Sequence, residues 1–177
     1  QRVVIAIALA CRPQLIIADE PTTALDVTIQ AQVLELIKKL QQSEKTSMLL
    51  ITHDLGIVAE TCDNVAIMYA GHLIEYADLK SLYTAPKHPY TQGLFNAVPT
   101  LESPLGSRLA VIPGLPPDPT NLPKGCSFSP RCPYAKDLCH ERACGTQEVE
   151  TGHFVDCYFP LTPASGNAHS CSEVEWL

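Results

Sequence analysis

The chain has 177 residues, of which 46% are hydrophobic and 18% are charged, so it can bury a core and is not disordered as a whole. Its 12 Lys and Arg residues oppose 19 Asp and Glu residues, and the net charge of −7 without a basic block argues against a nucleic-acid-binding protein. The longest apolar run, residues 3–11, is far shorter than the roughly 20 residues of a membrane-spanning helix, so we expect a soluble protein. The sequence begins at Gln1 rather than Met, inside this run, which suggests a piece of a longer protein.

The first 84 residues have the pattern of regular secondary structure. Residues 3–10 are apolar on nearly every side and predict a buried helix or strand. Residues 15–18 are a short apolar run that stops at acidic residues, as a buried parallel strand would. Residues 27–40 carry apolar side chains at helical spacing, with Asp26 as the predicted N-cap.

The pattern continues with a second strand and a hairpin. Residues 47–52 predict another buried strand, and Asp54 is placed to cap a short helix after it. Residues 65–69 and 72–76 are extended runs on either side of an Ala-Gly turn, which predicts a hairpin. The order strand, helix, strand, helix, hairpin indicates an α/β domain with chemistry at the carboxyl edge of a parallel sheet.

Two carboxylates, Asp19 and Glu20, close the first strand. Acids at the end of a buried strand are costly unless they are solvated, paired or bound to a metal. They point in opposite directions on an extended chain, so one could hold Mg²⁺ through water while the other polarises a water molecule near a phosphate. Taken alone, the pair is equally compatible with helix-capping or solvated loop acids, and a lone His53 would be an ordinary strand-end histidine.

Three segments in order resemble the ATP-binding-cassette (ABC) ATPases. Residues 15–26 (LIIADEPTTALD) resemble the Walker B strand and D-loop of that family, and residues 51–54 (ITHD) resemble the segment with its switch histidine. Gln1-Arg2 and the apolar helix after it resemble the residues just downstream of the signature loop. The resemblance implies the C-terminal half of a P-loop ABC nucleotide-binding domain, with α/β fold, at residues 1–84.

The resemblance also implies a role for each matching residue. Asp19 would bind the Mg²⁺ of ATP through its water shell, and Glu20 would be the general base that orients water for attack on the γ-phosphate. His53 would contact that phosphate. Asp26, with Ala24 and Leu25, would lie at the interface between two nucleotide-binding subunits. Such a site performs phosphoryl transfer by positioning and charge neutralisation.

The phosphate-gripping half of such a site is not in this sequence. No GxxxxGKS or GxxxxGKT phosphate loop and no LSGG signature occurs in the chain. We therefore expect these 177 residues alone to bind ATP poorly and to hydrolyse it negligibly, while the complete protein would be an ATPase.

Residues 85–177 differ in composition, since they contain 13 of the 15 prolines and begin with a His-Pro-Tyr segment at 88–90. That segment, with the apolar helical stretch to residue 98, resembles the start of the C-terminal extension in the oligopeptide and dipeptide importer branch of the cassette ATPases. A proline-rich linker follows at residues 112–119. We expect a small, loop-rich extension in which the His-Pro-Tyr segment is structural.

Four cysteines of this extension are spaced C-x5-C-x6-C-x17-C: Cys126, Cys132, Cys139 and Cys157. Few large apolar side chains surround these cysteines, so we expect the extension to need a disulfide or a bound metal for stability. Disulfides are disfavoured in the cytoplasm, where an ATPase would work, and this leaves a metal centre. Zinc usually brings a tight C-x2-4-C pair, whereas iron–sulfur clusters accept wider spacing. The importer resemblance implies a [4Fe-4S] cluster, with zinc or no metal as alternatives.

The sequence assigns no single role to the other cysteines and histidines of the extension. Cys144 and Cys171 depart from the family pattern, and each could be a spare thiol or replace a ligand. His140 and His153 flank the predicted ligands and could support them by hydrogen bonds, but we expect both to be surface histidines.

The whole sequence is thus identified as similar to the ATP-hydrolysing subunit of an ABC importer for peptides, peripheral to the cytoplasmic face of the cell membrane. The resemblance implies a second ABC ATPase subunit and two membrane permease subunits as partners, with an extracytoplasmic peptide-binding protein as an indirect one and no nucleic acid. Related subunits for nickel or glutathione remain alternatives. So do a non-hydrolytic metal-cluster interaction module and a soluble cassette ATPase of translation or DNA repair.

Overall fold

Residues 2–23, 25–98 and 111–162 are described by a computed structural model of the chain. The chain divides into two compact units, Gln1–Cys62 and Asp63–Leu177. Within the described residues, no helix is both long enough and apolar enough to cross a membrane. The predicted domain boundary at residue 84/85 falls inside the second unit. It stays a prediction about the limits of the ATPase domain.

The first unit alternates helices and strands, as the sequence predicts. Its elements are α1 (Arg2–Leu9), β1 (Leu15–Asp19), α2 (Val27–Glu44), β2 (Ser47–Ile51) and α3 (Leu55–Thr61). Strands β1 and β2 pair in parallel, with Leu15 opposite Ser47 and Asp19 opposite Ile51. The carboxyl ends of both strands therefore lie at the same edge of the sheet.

Both predicted helix caps are present in this unit. The Asp26 carboxylate accepts a hydrogen bond from the Ile29 N–H at 2.9 Å and begins α2. The Asp54 carboxylate accepts from the N–H groups of Gly56 and Ile57 and begins α3. These bonds satisfy amide groups that a helix leaves unpaired at its first turn.

The burial that the sequence predicts for α1, β1 and β2 is wrong for several side chains. Val3 on α1 is 71% exposed, Ile17 on β1 is 63% exposed, and Leu49 on β2 is 50% exposed. Strands of a parallel sheet are apolar on both faces because both faces are normally covered. Within the described residues the exposure of β1 and β2 alternates along each strand, which leaves one of their faces less covered than the other.

The second unit is built on an antiparallel sheet with the strand order β3-β4-β6-β5. Its elements are β3 (Asn64–Tyr69), β4 (His72–Asp78), α4 (Leu79–Thr84), α5 (Pro89–Asn96), a 3-10 turn (Ser129–Arg131), α6 (Asp137–Glu141), β5 (Gln147–Glu150) and β6 (His153–Val155). The predicted hairpin is β3–β4, and its two turn residues, Ala70 and Gly71, have φ of 48° and 80°. Such a pair of positive φ values suits the tight turns that join antiparallel strands.

One arginine fastens the proline-rich linker to the core of this unit. The guanidinium of Arg131 donates hydrogen bonds to the carbonyl oxygens of Ile112 and Pro113, and to the hydroxyl of Tyr69. The Tyr69 ring packs against Phe128, with 5.3 Å between ring centroids. The linker therefore follows a defined path even though it contains neither helix nor strand.

Candidate functional site

Glu20 stands where the first strand ends, in an unusual backbone conformation. Its N–H donates a hydrogen bond to the Ile51 carbonyl at 2.9 Å, which ties it to the end of β2. Its φ is +46°, in the left-handed region that residues other than glycine seldom adopt. The next residue is Pro21, which disfavours the right-handed α conformation for the residue before it. The chain therefore leaves the sheet abruptly at this carboxylate.

Both carboxylate oxygens of Glu20 are hydrogen-bonded. Oε1 lies 2.8 Å from Nδ1 of His53, and Oε2 accepts a hydrogen bond from the Thr23 hydroxyl at 3.0 Å. His53 follows the end of β2 by two residues, so the parallel pairing of the strands brings it beside Glu20 from 33 residues away. The imidazole is 85% exposed and the carboxylate 34% exposed, which keeps the pair open to solvent.

The two side chains shift each other's protonation. The hydrogen bond that His53 donates to Glu20 raises the pKa of His53 above its ordinary value, and the charge of the carboxylate adds to the effect. The hydrogen bond from His53 lowers the pKa of Glu20, with a further contribution from Thr23. The pair is therefore a carboxylate facing a readily protonated imidazole, and either group could hold or release a proton at this edge of the sheet.

The other acids predicted for this site lie on either side of Glu20 in the sequence. Asp19 is the last residue of β1 and is exposed, one position before Glu20. Asp26 is also exposed, and one of its oxygens caps α2. Ala24, predicted beside Asp26 and Leu25 at a subunit interface, lies outside the described residues.

The four predicted cysteine ligands line one pocket of the second unit. Cys126, Cys132, Cys139 and Cys157 all border it, together with Cys144. Gly125 makes this arrangement possible, because a Cβ there would lie 2.2 Å from the carbonyl oxygen of Cys139. Aromatic rings close much of the pocket, and they come from Phe128, Tyr134, Tyr158 and Phe159. Cys171 lies outside the described residues.

Burial disfavours the thiolate form of Cys126, Cys132 and Cys157. It raises the pKa of Cys126 and Cys132 above the ordinary value, and it raises the pKa of Cys157 to about 12.

A buried carboxylate that the sequence did not single out lies at the centre of the second unit. Glu75 is 1% exposed and accepts hydrogen bonds from the backbone N–H groups of Lys87 and His88, at 2.6 and 2.9 Å. His153 Nε2 is 2.7 Å from the same carboxylate. His153 is 2% exposed, so its prediction as a surface histidine is wrong, whereas His140 is exposed as predicted.

The chain was compared with protein families and with curated proteins. Residues 74–139 match the family described as the oligopeptide/dipeptide transporter, C-terminal region. The oligopeptide transport ATP-binding protein OppD of Salmonella typhimurium is 50% identical over 161 residues, which are 91% of this chain and 48% of that protein. The dipeptide transport ATP-binding protein DppD of Escherichia coli is 49% identical over 164 residues, or 93% of this chain and 50% of that protein. AppD of Bacillus subtilis, another oligopeptide transport ATP-binding protein, is 52% identical over 158 residues, or 89% and 48% of the two chains.

The chain therefore spans about half the length of the curated relatives it matches. The predicted iron–sulfur centre, and with it the metal-binding role of the four cysteines, is wrong. Across residues 2–23, 25–98 and 111–162, no group of three or more His, Cys, Asp or Glu side chains is arranged to hold a metal ion. The relatives are described as transport ATP-binding proteins and not as iron–sulfur proteins. The spacing of thiols in the sequence does not determine how their side chains are arranged in space.

Proposed function

We propose that the whole protein is the ATP-hydrolysing subunit of a peptide importer, because residues 74–139 match the family described as the oligopeptide/dipeptide transporter, C-terminal region. The relatives that match about nine-tenths of the chain are named as oligopeptide or dipeptide transport ATP-binding proteins, which supports this reading. The same names favour an ATPase over a non-hydrolytic module, and peptides over nickel or glutathione as cargo.

The observation that carries the proposal is the 2.8 Å contact between Glu20 Oε1 and His53 Nδ1. It places a carboxylate and an imidazole together at the carboxyl edge of two parallel strands, where open α/β sheets place their ligands. Hydrolysis of a phosphoanhydride needs a group that takes the proton of the attacking water and a group that stabilises the phosphate. Glu20 and His53 suit these two parts.

We assign the steps of the reaction as follows. Asp19 is an exposed carboxylate, a hard oxygen ligand that fits Mg²⁺ held through water. When bound, Mg²⁺ neutralises charge on the phosphates of ATP. Glu20 takes a proton from water as the water oxygen bonds to the γ-phosphorus and the bond to the ADP oxygen breaks. His53 hydrogen-bonds the γ-phosphate, so it exchanges its contact with Glu20 for one with substrate.

The remaining parts of the site lie outside these 177 residues. The sequence contains no phosphate-binding loop. In the whole protein, the groups that bind the phosphates would belong to the part that corresponds to the half of the relatives that this chain does not span. Asp26 and the neighbouring loop residues face a second ATP-binding subunit, and the two subunits close on ATP. We place the protein at the cytoplasmic face of the membrane, where it drives two permease subunits that receive peptide from an extracytoplasmic binding protein.

The second unit contains the residues that match the oligopeptide/dipeptide transporter family. The proposed extension at residues 85–177 begins at the His-Pro-Tyr segment, where His88 accepts a hydrogen bond from the Tyr90 N–H and Pro89 opens α5. A loop-rich extension pinned by Glu75, Arg131 and an aromatic cluster is well suited to a structural part, and we assign it no step of the reaction.

The test is the Glu20→Gln substitution in the complete ATP-binding subunit. Glutamine keeps the shape of the side chain but is not a base, so ATP should still bind while phosphate release falls at least 100-fold. Glu35→Gln is the matched control, since Glu35 is an exposed acid on α2 that pairs with Lys39. Undiminished hydrolysis by Glu20→Gln would remove Glu20 from the role of base.

A further inference from the structure

Thr23 lies three residues after the proposed base and bonds back to it twice. The Thr23 N–H donates to the Glu20 carbonyl at 3.1 Å, which closes a turn with Pro21 at its second position. The Thr23 hydroxyl donates to Glu20 Oε2 at 3.0 Å. Proline presets its own φ for this position of a turn, so the sequence Glu-Pro-Thr-Thr itself brings the hydroxyl under the carboxylate.

The two oxygens of the Glu20 carboxylate are therefore held by different partners. Oε2 is held from within the same turn, only three residues away, whereas Oε1 is held by His53, which lies two residues beyond the end of β2. A phosphate that attracts His53 would break the contact at Oε1. The contact at Oε2 is local and would persist through that change.

Resting on the function proposed above, we propose that Thr23 is a positioning residue that fixes Oε2 of Glu20 and so directs Oε1 toward the attacking water. When His53 turns to the γ-phosphate, Oε1 is the oxygen that becomes free. Water then gives its proton to Oε1 as its oxygen bonds to phosphorus and ADP leaves with the electrons of the broken P–O bond. The Thr23 proton stays on its own oxygen throughout and is only shared with Oε2.

A hydroxyl in this place could instead serve only to close the turn. The backbone bond of Thr23 does that without the side chain, and valine would keep both the backbone bond and the branched shape. Thr23→Val therefore removes the contact with Oε2 and leaves the turn, while Thr23→Ser restores the hydroxyl. If the backbone bond alone suffices, Thr23→Val keeps the wild-type kcat, whereas a positioning role predicts a loss of kcat that Thr23→Ser restores.

The experiment measures steady-state ATP hydrolysis by the complete ATP-binding subunit and its variants as the ATP concentration is varied. The subunit concentration is kept high enough for the two subunits to associate. We expect Thr23→Val to lower kcat about 10-fold to 100-fold, with the KM for ATP within about twofold, because a hydrogen bond to a charged group is lost at the reacting carboxylate only. Thr23→Ser should recover kcat to within about threefold. Thr28→Val, which removes an exposed hydroxyl from the first turn of α2, is the matched control and should behave as wild type.

Three outcomes would overturn the inference: wild-type kcat in Thr23→Val, equal losses in the Val and Ser variants, or a loss confined to KM. If Thr23→Val does not fold by circular dichroism, Thr23→Ala replaces it with the same expectations. Failure of the proposed function is distinguishable, since then the wild-type protein would not hydrolyse ATP or Glu20→Gln would remain active. An active wild type, an inactive Glu20→Gln and an unimpaired Thr23→Val together would remove the role of Thr23 alone.

Discussion

Glu75 and His153 form a buried pair, with 2.7 Å between Oε1 and Nε2 and with side chains that are 0% and 2% exposed. They join β4 to β6 across 78 residues of sequence. The same carboxylate caps the chain at Lys87 and His88, where α5 begins. One side chain thus connects the sheet to the His-Pro-Tyr segment.

We therefore expect Glu75→Gln to destabilise the second unit. An amide presents a donor where the carboxylate presents only acceptors, so at least one buried N–H would lose its partner, at a cost of about 1–3 kcal/mol. Urea unfolding followed by circular dichroism measures the change. Glu141→Gln, at the exposed end of α6, should change the free energy of unfolding by less than about 0.5 kcal/mol. Equal stabilities for the two variants would contradict the central place of Glu75.

His88 should make the stability of this unit depend on pH. Burial lowers the pKa of His88 from 6.5 to about 4, so the folded chain keeps it neutral while the unfolded chain takes up a proton below pH 6.5. Its contribution is therefore present above pH 6.5 and is lost as the pH falls toward 4. Between pH 7.5 and pH 5.0 we expect a loss of about 2 kcal/mol from this residue.

The variant His88→Asn tests this dependence. Asparagine does not titrate and can still cap α5, so urea unfolding at pH 7.5 and pH 5.0 should give more similar free energies than in the wild type. His72→Asn, at an exposed position that begins β4, is the control and should leave the wild-type difference intact. A full pH dependence in His88→Asn would assign it to other groups.

The pocket cysteines should react slowly with alkylating reagents. The pKa of Cys157 is raised from 9.0 to about 12, which lowers its thiolate fraction near pH 7.5 by roughly 1000-fold. Iodoacetamide labelling followed by peptide mass spectrometry should therefore modify Cys157 far more slowly in the folded chain than in 8 M urea. Cys11, which is exposed, should show a much smaller difference between the two conditions. Rapid labelling of Cys157 in the folded chain would contradict its burial.

Structural features that depend on local sequence patterns could be predicted, and most contacts between distant parts of the chain could not. The strands β1 and β2, the caps at Asp26 and Asp54, and the meeting of Glu20 with His53 were predictable, because local patterns define them and parallel strands end at one edge. The pair of Glu75 and His153 depends on an antiparallel pairing between distant strands, which no local pattern records. The contact of Thr23 with Glu20 is not among the predictions from the sequence, although Pro-Thr-Thr after an acid is a turn signal that favours it.

Two predictions are wrong, the burial of side chains on α1 and β1 and the metal centre of the cysteines. Both depend on the three-dimensional surroundings of a residue, which a sequence pattern does not specify. Apolar residues on α1 and β1 indicate that something can cover them, and within the described residues Val3 and Ile17 remain exposed. Four spaced thiols indicate possible ligands, but within the described residues their side chains do not form a group that could hold a metal ion. In both cases composition identified the chemistry that a residue offers and left its environment open.

The pairing of His53 with Glu20 predicts a measurable change in the pKa of the imidazole. The hydrogen bond that His53 donates to the Glu20 carboxylate raises this pKa above 6.5, so Glu20→Gln should lower it toward 6.5, because glutamine can accept the bond but carries no charge. The pKa of Glu20 is lowered by the same contact, so the charged pair exists between these two pKa values. Its contribution is lost as the pH rises through the pKa of His53 or falls through that of Glu20.

NMR titration of the histidine ring signals in this chain measures the effect directly. Because His53 is 85% exposed, 1 M salt should screen the charge of Glu20 and bring the wild-type pKa closer to that of the variant. Glu35→Gln, which removes an acid paired with Lys39, should leave the His53 titration unchanged. If Glu20→Gln left the pKa of His53 at its wild-type value, the two side chains would not be paired in solution. The proposed exchange of partners at Oε1 would then lose its starting point.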